Sequence, residues 1–170
     1  MSLNTPWRMM RSLRKNPVIL HGLIKNVWQD QARHYKDGPD GWSVVEIVCH
    51  LRDLEEIYYR RALRMLEENE PVFETFDQEE MARQGNYINQ TLTRVFEEFL
   101  EKRRRTLRFF DSLVPEQWQR TGIHPEAGKI TILEQAFQIG SHDTDHIEQI
   151  IRAMGLAEEL FSELASVQQI

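Results

Sequence analysis

The sequence feature that most constrains the fold is an apolar helical stripe near the C-terminal end, which two histidines interrupt. Between residues 132 and 153, apolar side chains recur every three or four positions, which is one face of an α-helix. His142 and His146 stand on this face where hydrophobic residues are expected. Residues four apart on a helix have Cβ atoms roughly 5–6 Å apart, so both imidazoles can reach one point. Burying an unpaired polar group costs roughly 1–3 kcal/mol, and a shared metal ion would satisfy both rings.

A second histidine-bearing stripe lies earlier in the chain. The capping box Ser43-Val44-Val45-Glu46 predicts the start of a helix that runs to about Asn69, before Pro71. On its core-facing stripe, His50 again replaces a hydrophobic residue. Cys49 lies one position off this stripe and is interpreted as a small buried hydrophobic residue.

Three other helices follow from capping and breaker signals. We expect the first helix to begin at Asn16-Pro17, with Asn16 as the cap, and to end before Asp37. A third is predicted from about Asn86 to Ser112, and the last from the Thr131 capping box to about Met154. His21 and His34 on the first helix are interpreted as surface or core-edge residues.

Four long helices without a convincing strand pair predict an all-α four-helix bundle. The link between the second and third helices, about residues 70–85, is long enough to cross the bundle. It therefore favours an up-down-down-up order of helices over a plain meander. We expect a single domain over residues 1–170, with a core of about 15–155. The tail 156–170 has an amphipathic pattern and is predicted to form a short extra helix or to contact a partner.

Composition limits the classes of partner. The net charge of −6 gives no electrostatic reason to bind nucleic acid. No apolar run reaches roughly 18 residues, so no membrane span is expected. A single cysteine excludes an internal disulfide, and the N-terminus lacks the apolar core of a signal peptide, so a cytoplasmic location is expected.

The three stripe histidines are predicted to meet. His50 lies roughly 9 Å into its helix and His146 roughly 13 Å from the end of the last one, at 1.5 Å per residue. In antiparallel helices these depths nearly coincide. Three neutral imidazoles with solvent in the remaining positions would make an open, catalytic type of metal site at His50, His142 and His146. Four acidic residues are candidate acceptors for the imidazole N–H groups, although each could equally be a surface acid: Glu46, Asp53, Asp143 and Asp145.

Two segments carry a family resemblance. Residues 42–55, WSVVEIVCHLRDLE, resemble the "W-S-x-x-E-x-x-x-H-L-x-D-x-E" opening of the second helix in DinB/YfiT-like metalloenzymes, and residues 142–150 resemble the family's "H-D-x-x-H-x-x-Q-I" segment. Trp118, the 122–128 loop and Thr131 fall between them in the familiar order. The resemblance implies an up-down-down-up bundle, often dimeric, with a divalent metal on His50, His142 and His146. Relatives of the family include thiol-dependent S-transferases.

Three functions are compatible with these features. The first is a cytoplasmic, homodimeric enzyme that uses zinc or nickel to activate a thiol or water against a small molecule, as an S-transferase with a low-molecular-weight thiol cosubstrate or as a hydrolase. Trp42, Arg103 and the 122–128 loop would form its pocket walls. The second is a non-catalytic metal-binding stress-response or interaction module, and the third a plain bundle whose histidines pair with carboxylates. The roles of Arg103, His124 and the tail stay open.

Overall fold

A computed structural model describes residues 6–157 and 162–163 of the chain. Four long helices form the bundle, and two short helices, two 3-10 turns (Tyr87–Asn89 and Gln117–Gln119) and one β-hairpin occupy the links. The helices are α1 (Pro6–Ile24), α2 (Gln29–His34), α3 (Val44–Glu67), α4 (Gln78–Gln84), α5 (Leu92–Asp111) and α6 (Ile132–Ala153); the strands are β1 (Thr121–His124) and β2 (Gly128–Thr131).

Side-chain contacts give the direction of each bundle helix. Early residues of α3 meet early residues of α5 and later ones meet later ones, as in the Arg52–Glu98 ion pair and the Tyr59–Phe109 ring contact, so these two helices are parallel. In contrast, α1 runs against α5, because Arg14 pairs with Asp111 at the end of α5, whereas His21, further along α1, stacks on Phe96 near the start of α5.

The last helix runs against α3. His50, near the start of α3, contacts His146 in the second half of α6, whereas Tyr58 further along α3 contacts His142, which lies earlier in α6. The order is therefore up-down-down-up, and the predicted all-α four-helix bundle is confirmed. The long α3–α5 link makes the parallel pair possible.

Both predicted capping boxes are present and fix the starts of the two histidine-bearing helices. The Glu46 carboxylate accepts from the backbone N–H of Ser43 at 2.8 Å. At the start of α6, the Thr131 hydroxyl accepts from Glu134 N–H at 3.1 Å, and the Glu134 carboxylate accepts from Thr131 N–H at 2.7 Å.

The predicted start of the first helix is wrong. The helix α1 begins at Pro6 and contains Pro17 in its interior, and the buried Asn16 side chain donates to Gly140 O (2.9 Å) rather than capping. A proline inside a helix removes the N–H that would bind the carbonyl four residues earlier, here that of Leu13. Arg103 Nη1 donates to this carbonyl at 3.1 Å instead, so a tertiary contact replaces the missing backbone bond.

Three other expectations are corrected by the structure. The first helix breaks at residues 25–28 and resumes as α2, and the third begins at Leu92 rather than Asn86. The loop after Trp118 contains the antiparallel pair β1–β2, although no strand pair was expected. Strand pairing became possible because Gly128 adopts a positive φ of 72° at the turn. Most of the predicted C-terminal extra helix lies outside the described residues.

A polar layer of buried side chains, which includes His50, Arg103 and Asp143, crosses the bundle and separates two apolar clusters of the core. One apolar cluster surrounds the start of α3 and the end of α6, and includes Val48 and Ile150. The other surrounds the end of α3 and the start of α6, and includes Met65 and Ile132. Among the described residues, none of the helices combines the length and the apolar composition of a membrane span.

Candidate metal centre

The polar layer contains the histidine cluster, which consists of His50, His142 and His146. The Nε2 atom of His142 lies 3.0 Å from Nε2 of His50 and 3.1 Å from Nε2 of His146. One ring nitrogen of each residue lies within 4.8 Å of those of the other two. His50 is buried, whereas His142 and His146 are partly exposed. The structure therefore brings together the three histidines predicted from the sequence.

The spacing of these nitrogens fits a shared cation. Metal–nitrogen bonds of roughly 2.0–2.1 Å place neighbouring ligand nitrogens roughly 2.9–3.4 Å apart in octahedral or tetrahedral sites. Hydrogen bonding alone does not satisfy this arrangement, because the His142 Nε2 atom has either one proton or one lone pair and faces two other Nε2 atoms. A cation that accepts all three lone pairs resolves the conflict.

The electrostatic environment keeps the imidazoles neutral. Burial lowers the pKa of His50 to about 3, and the neighbouring His146 adds to this effect. Burial and the other two histidines lower the pKa of His142 to about 2. Burial also lowers the pKa of His146. Neutral imidazole is the form that ligates a metal, so the site favours the ligand form at physiological pH.

Neighbouring side chains orient the rings. The Gln149 Oε1 atom lies 2.7 Å from His146 Nδ1, which places the proton on Nδ1 and leaves the Nε2 lone pair facing the cluster. The Trp42 ring packs against His50 with centroids 4.9 Å apart, and Tyr58 meets the His142 ring edge-on at 5.5 Å. Within residues 6–157 and 162–163, His50 Nδ1 is buried without a hydrogen-bond partner.

Asp143, one residue beyond His142, belongs to the arginine cluster, which comprises Arg103, Glu55 and Asp143. The buried Arg103 guanidinium donates to Glu55 at 2.9 and 2.7 Å and to Asp143 at 2.8 and 2.9 Å. It also lies 4.9 Å from the centroid of the Phe99 ring, and Asn16 donates to Asp143 at 3.2 Å. Arg103 is therefore held by internal partners rather than lining a pocket at the histidines.

The candidate acidic acceptors bind elsewhere. Asp53 accepts from Arg52 and from the Tyr87 hydroxyl, and Glu46 accepts at the cap of α3. Asp143 faces Arg103, and Asp145 is exposed. In the described residues, therefore, none of these four carboxylates is hydrogen bonded to an imidazole of the cluster.

The remaining singled-out residues lie away from the cluster. Cys49 is buried, and burial raises the pKa of its thiol to about 12, so it is an inert core residue as predicted. His21 and His34 are exposed, which also agrees with the prediction. His124 is buried in the hairpin, where its Nδ1 accepts from the backbone N–H groups of Glu126 and Ala127 at 3.2 Å each.

Comparison with known proteins matches this architecture to one family. The model of the DinB superfamily matches residues 12–150, which include α3, α5, most of α1 and α6, and the three histidines. The chain belongs to the DinB superfamily. This DinB protein is 33% identical over 120 residues to a protein of Oceanobacillus iheyensis provisionally named a metal-dependent hydrolase. The match covers 68% of this chain and 66% of that protein, just under two thirds of its length.

Two further similarities agree with the assignment. A protein of Halalkalibacterium halodurans, also provisionally named a metal-dependent hydrolase, is 28% identical over 141 residues, covering 79% of this DinB chain and 80% of the relative. The structure of YfiT from Bacillus subtilis, described as "a probable metal-dependent hydrolase with an unusual four-helix bundle topology", superposes with a TM-score of 0.76. At 22% identity, with 92% of this chain and 91% of that chain covered, it supports the fold.

Sequence reasoning missed the residue that orients His146 in this DinB protein. Gln149 lies three positions after His146, one helical turn away, whereas the acceptors predicted from the sequence are all carboxylates. An amide oxygen accepts a hydrogen bond as well as a carboxylate does, without adding charge. The H-x-x-Q spacing was the available signal.

Proposed function

We propose that this protein is a divalent-metal-dependent enzyme that acts on a small molecule, with the ion held by His50, His142 and His146. The observation that carries the proposal is the convergence of three Nε2 atoms with separations of 3.0 and 3.1 Å about His142. Three neutral nitrogen ligands suit zinc or nickel, and they leave coordination positions for other molecules. The names of the curated relatives support a metal-dependent reaction.

Hydrolysis is the reaction that we place first. A divalent ion bound there would lower the pKa of a water or thiol that it holds and so supply a nucleophile near neutral pH. Both curated relatives are named as hydrolases, which favours water. Transfer of a low-molecular-weight thiol to an electrophile is the alternative. The thiol would have to come from solution, because Cys49 is buried and its pKa is raised to about 12.

The side chains around the cluster have separate tasks in this proposal. Gln149 keeps the His146 proton on Nδ1, so that Nε2 stays a ligand. The Trp42 and Tyr58 rings restrict the positions of the His50 and His142 rings. Burial raises the pKa of the Tyr58 hydroxyl, so this group remains protonated and can donate a hydrogen bond to a bound substrate. The exposed edges of His142 and His146 leave a route for that substrate.

One purified preparation tests the proposal. Elemental analysis should find about one divalent ion per chain, and metal-free protein should take up one equivalent of zinc or nickel. The loaded protein is then assayed with activated esters in water, and with thiols against halogenated and epoxide electrophiles. Ester turnover that requires the metal supports a hydrolase, and thiol consumption supports a transferase. Wild-type protein that resists loading would contradict the whole proposal.

A non-catalytic metal-binding module is distinguished by coordination. In the enzyme, an open position should bind an added thiol or azide, with a change in the visible spectrum of the cobalt-substituted protein. A spectrum unmoved by either ligand, together with no turnover in both assays, would favour the module.

A further inference from the structure

Arg61 is the buried arginine whose charge has no carboxylate partner. Three arginines are buried in the part of the chain that the structure describes: Arg52, Arg61 and Arg103. Arg52 pairs with Asp53 and Glu98, and Arg103 pairs with Glu55 and Asp143. Within the same described residues, Arg61 has no carboxylate oxygen within 4.0 Å, although only 5% of its surface is exposed.

The Arg61 guanidinium is held in place, but not all of its N–H groups donate hydrogen bonds. Nη2 donates to the carbonyl of Glu74 at 2.8 Å, and the guanidinium carbon lies 5.3 and 5.5 Å from the ring centroids of Phe73 and Phe76. Nη1 is buried and has no hydrogen-bond partner among the residues that the structure describes. Because an ionised group that loses water needs compensation, this nitrogen has an unused capacity to bind an anion.

A second donor lies close by on the hairpin. His124 accepts two backbone N–H bonds at Nδ1, so its proton is on Nε2. Phe73, whose ring contacts the Arg61 guanidinium, donates its backbone N–H to the carbonyl of Ile123 at 2.9 Å, so the residue next to His124 is held beside Arg61. The arginine charge accordingly helps to lower the pKa of His124, after the larger effect of burial. The acidic group facing both is Glu126, which is exposed and forms no ion pair with Arg61 within 4.0 Å.

Arg61 faces the same interface as the histidine cluster. It lies eleven residues after His50 on the same stripe of α3, roughly 16 Å further along the axis, and helical side chains lean back towards the N-terminus. Tyr58 lies between the two and touches the His142 ring. On α6, Gln135 shares the face of His142, and its buried Oε1 also lacks a hydrogen-bond partner in the described part of the chain. Unpaired polar atoms therefore occur on both helices, on the same side of the cluster.

A buried water could satisfy these hydrogen bonds, but it would leave the Arg61 charge uncompensated. The arginine cluster shows how this fold compensates such a charge internally, with two carboxylates around Arg103. We propose that Arg61 and His124 bind the oxyanion of the substrate, so that the substrate is a small molecule bearing a carboxylate or phosphate. The assignment of this anion to a substrate rests on the proposed function.

The test measures binding of simple anions to metal-free, full-length protein. The probes are acetate, inorganic phosphate and neutral acetamide at constant ionic strength, followed by NMR shifts of the Arg61, His124 and Gln135 side chains. One oxyanion should bind saturably with shifts at these residues, and acetamide should not. The oxyanion that binds more tightly shows whether the substrate bears a carboxylate or a phosphate. Arg61→Gln should weaken that binding at least tenfold, while the control Arg60→Gln, an exposed neighbour, should leave it unchanged.

Two further variants keep the result interpretable. If Arg61→Gln does not fold, Arg61→Lys replaces it, and it should bind more weakly than wild type because it loses the planar fork. His142→Ala should bind the anion as wild type does, which separates this inference from the metal proposal. The inference would be overturned if wild type and the folded Arg61 variant bound the anion equally. It would also be overturned if wild type showed no saturable anion binding, even where the protein binds metal.

Discussion

Two adjacent residues of α6, His142 and Asp143, belong to polar clusters that solve the problem of burial differently. In the arginine cluster, internal carboxylates, an amide and a backbone carbonyl surround the Arg103 guanidinium. In the histidine cluster, three nitrogens of the same kind face each other, and no described residue hydrogen bonds to His50 Nδ1. The first is complete within the described residues and supports structure, whereas the second leaves ring nitrogens that a shared cation would satisfy.

The largest expected effect is the loss of metal from His142→Ala. His142 lies between the other two histidines, so its removal should reduce the bound divalent ion from about one per chain to a background level. The circular dichroism spectrum should keep its helical signal, because the arginine cluster remains intact. Elemental analysis of this variant is compared with that of His34→Ala, which changes an exposed histidine. Full metal content in His142→Ala would remove the functional distinction between the clusters.

Breaking the arginine cluster should instead cost stability. Arg103→Ala leaves two buried carboxylates without their cation, for which a loss of about 3–5 kcal/mol in the free energy of unfolding is expected. Urea denaturation measures this loss, and Arg104→Ala serves as the control because Arg104 is exposed. Replacing Arg103, Glu55 and Asp143 together with apolar residues should recover much of the loss. If Arg103→Ala lost less than about 1 kcal/mol, the arginine cluster would contribute no more to stability than an exposed ion pair does.

The histidine cluster should make the metal-free protein sensitive to acid. Between pH 6.5 and about 3, unfolded chains protonate His50 and His142 while the folded protein keeps them neutral, because their folded pKa values are about 3 and 2. Stability should therefore be flat above pH 6.5 and fall below it by about 1.4 kcal/mol per pH unit for each histidine. Urea midpoints from pH 7.5 to 4.5 measure the slope, and His50→Gln should reduce it.

The smallest expected effect is on the orientation of one ligand. Gln149→Ala removes the acceptor at His146 Nδ1, and changes of this kind weaken metal affinity by roughly 10–100-fold. Competition with a chelator measures the affinity, with Glu148→Ala, an exposed neighbour, as the control. Unchanged affinity in Gln149→Ala would show that ring packing alone orients His146.

Local patterns predicted the grouping of the three histidines, because each histidine lies on a regular helix whose start is fixed by a capping box. Periodicity and depth then sufficed to bring His50, His142 and His146 together. The partners of Arg103 could not be predicted in this way. They come from three other helices, and their choice depends on the rotation of α1 and α5 about their axes, which short-range spacing does not determine. The pairing of β1 with β2 could not be predicted either, since each strand has only four residues.

Proline at position 17 has a consequence for the cooperativity of the protein. The carbonyl that it frees on Leu13 binds Arg103, so one guanidinium contacts α1, α3 and α6 from its place on α5. Local opening of α1 would remove a contact from the residue that holds Asp143, which is the neighbour of His142. The amide protons of α1 and of the turn of α6 that carries His142 should therefore exchange with solvent deuterium as a single unit.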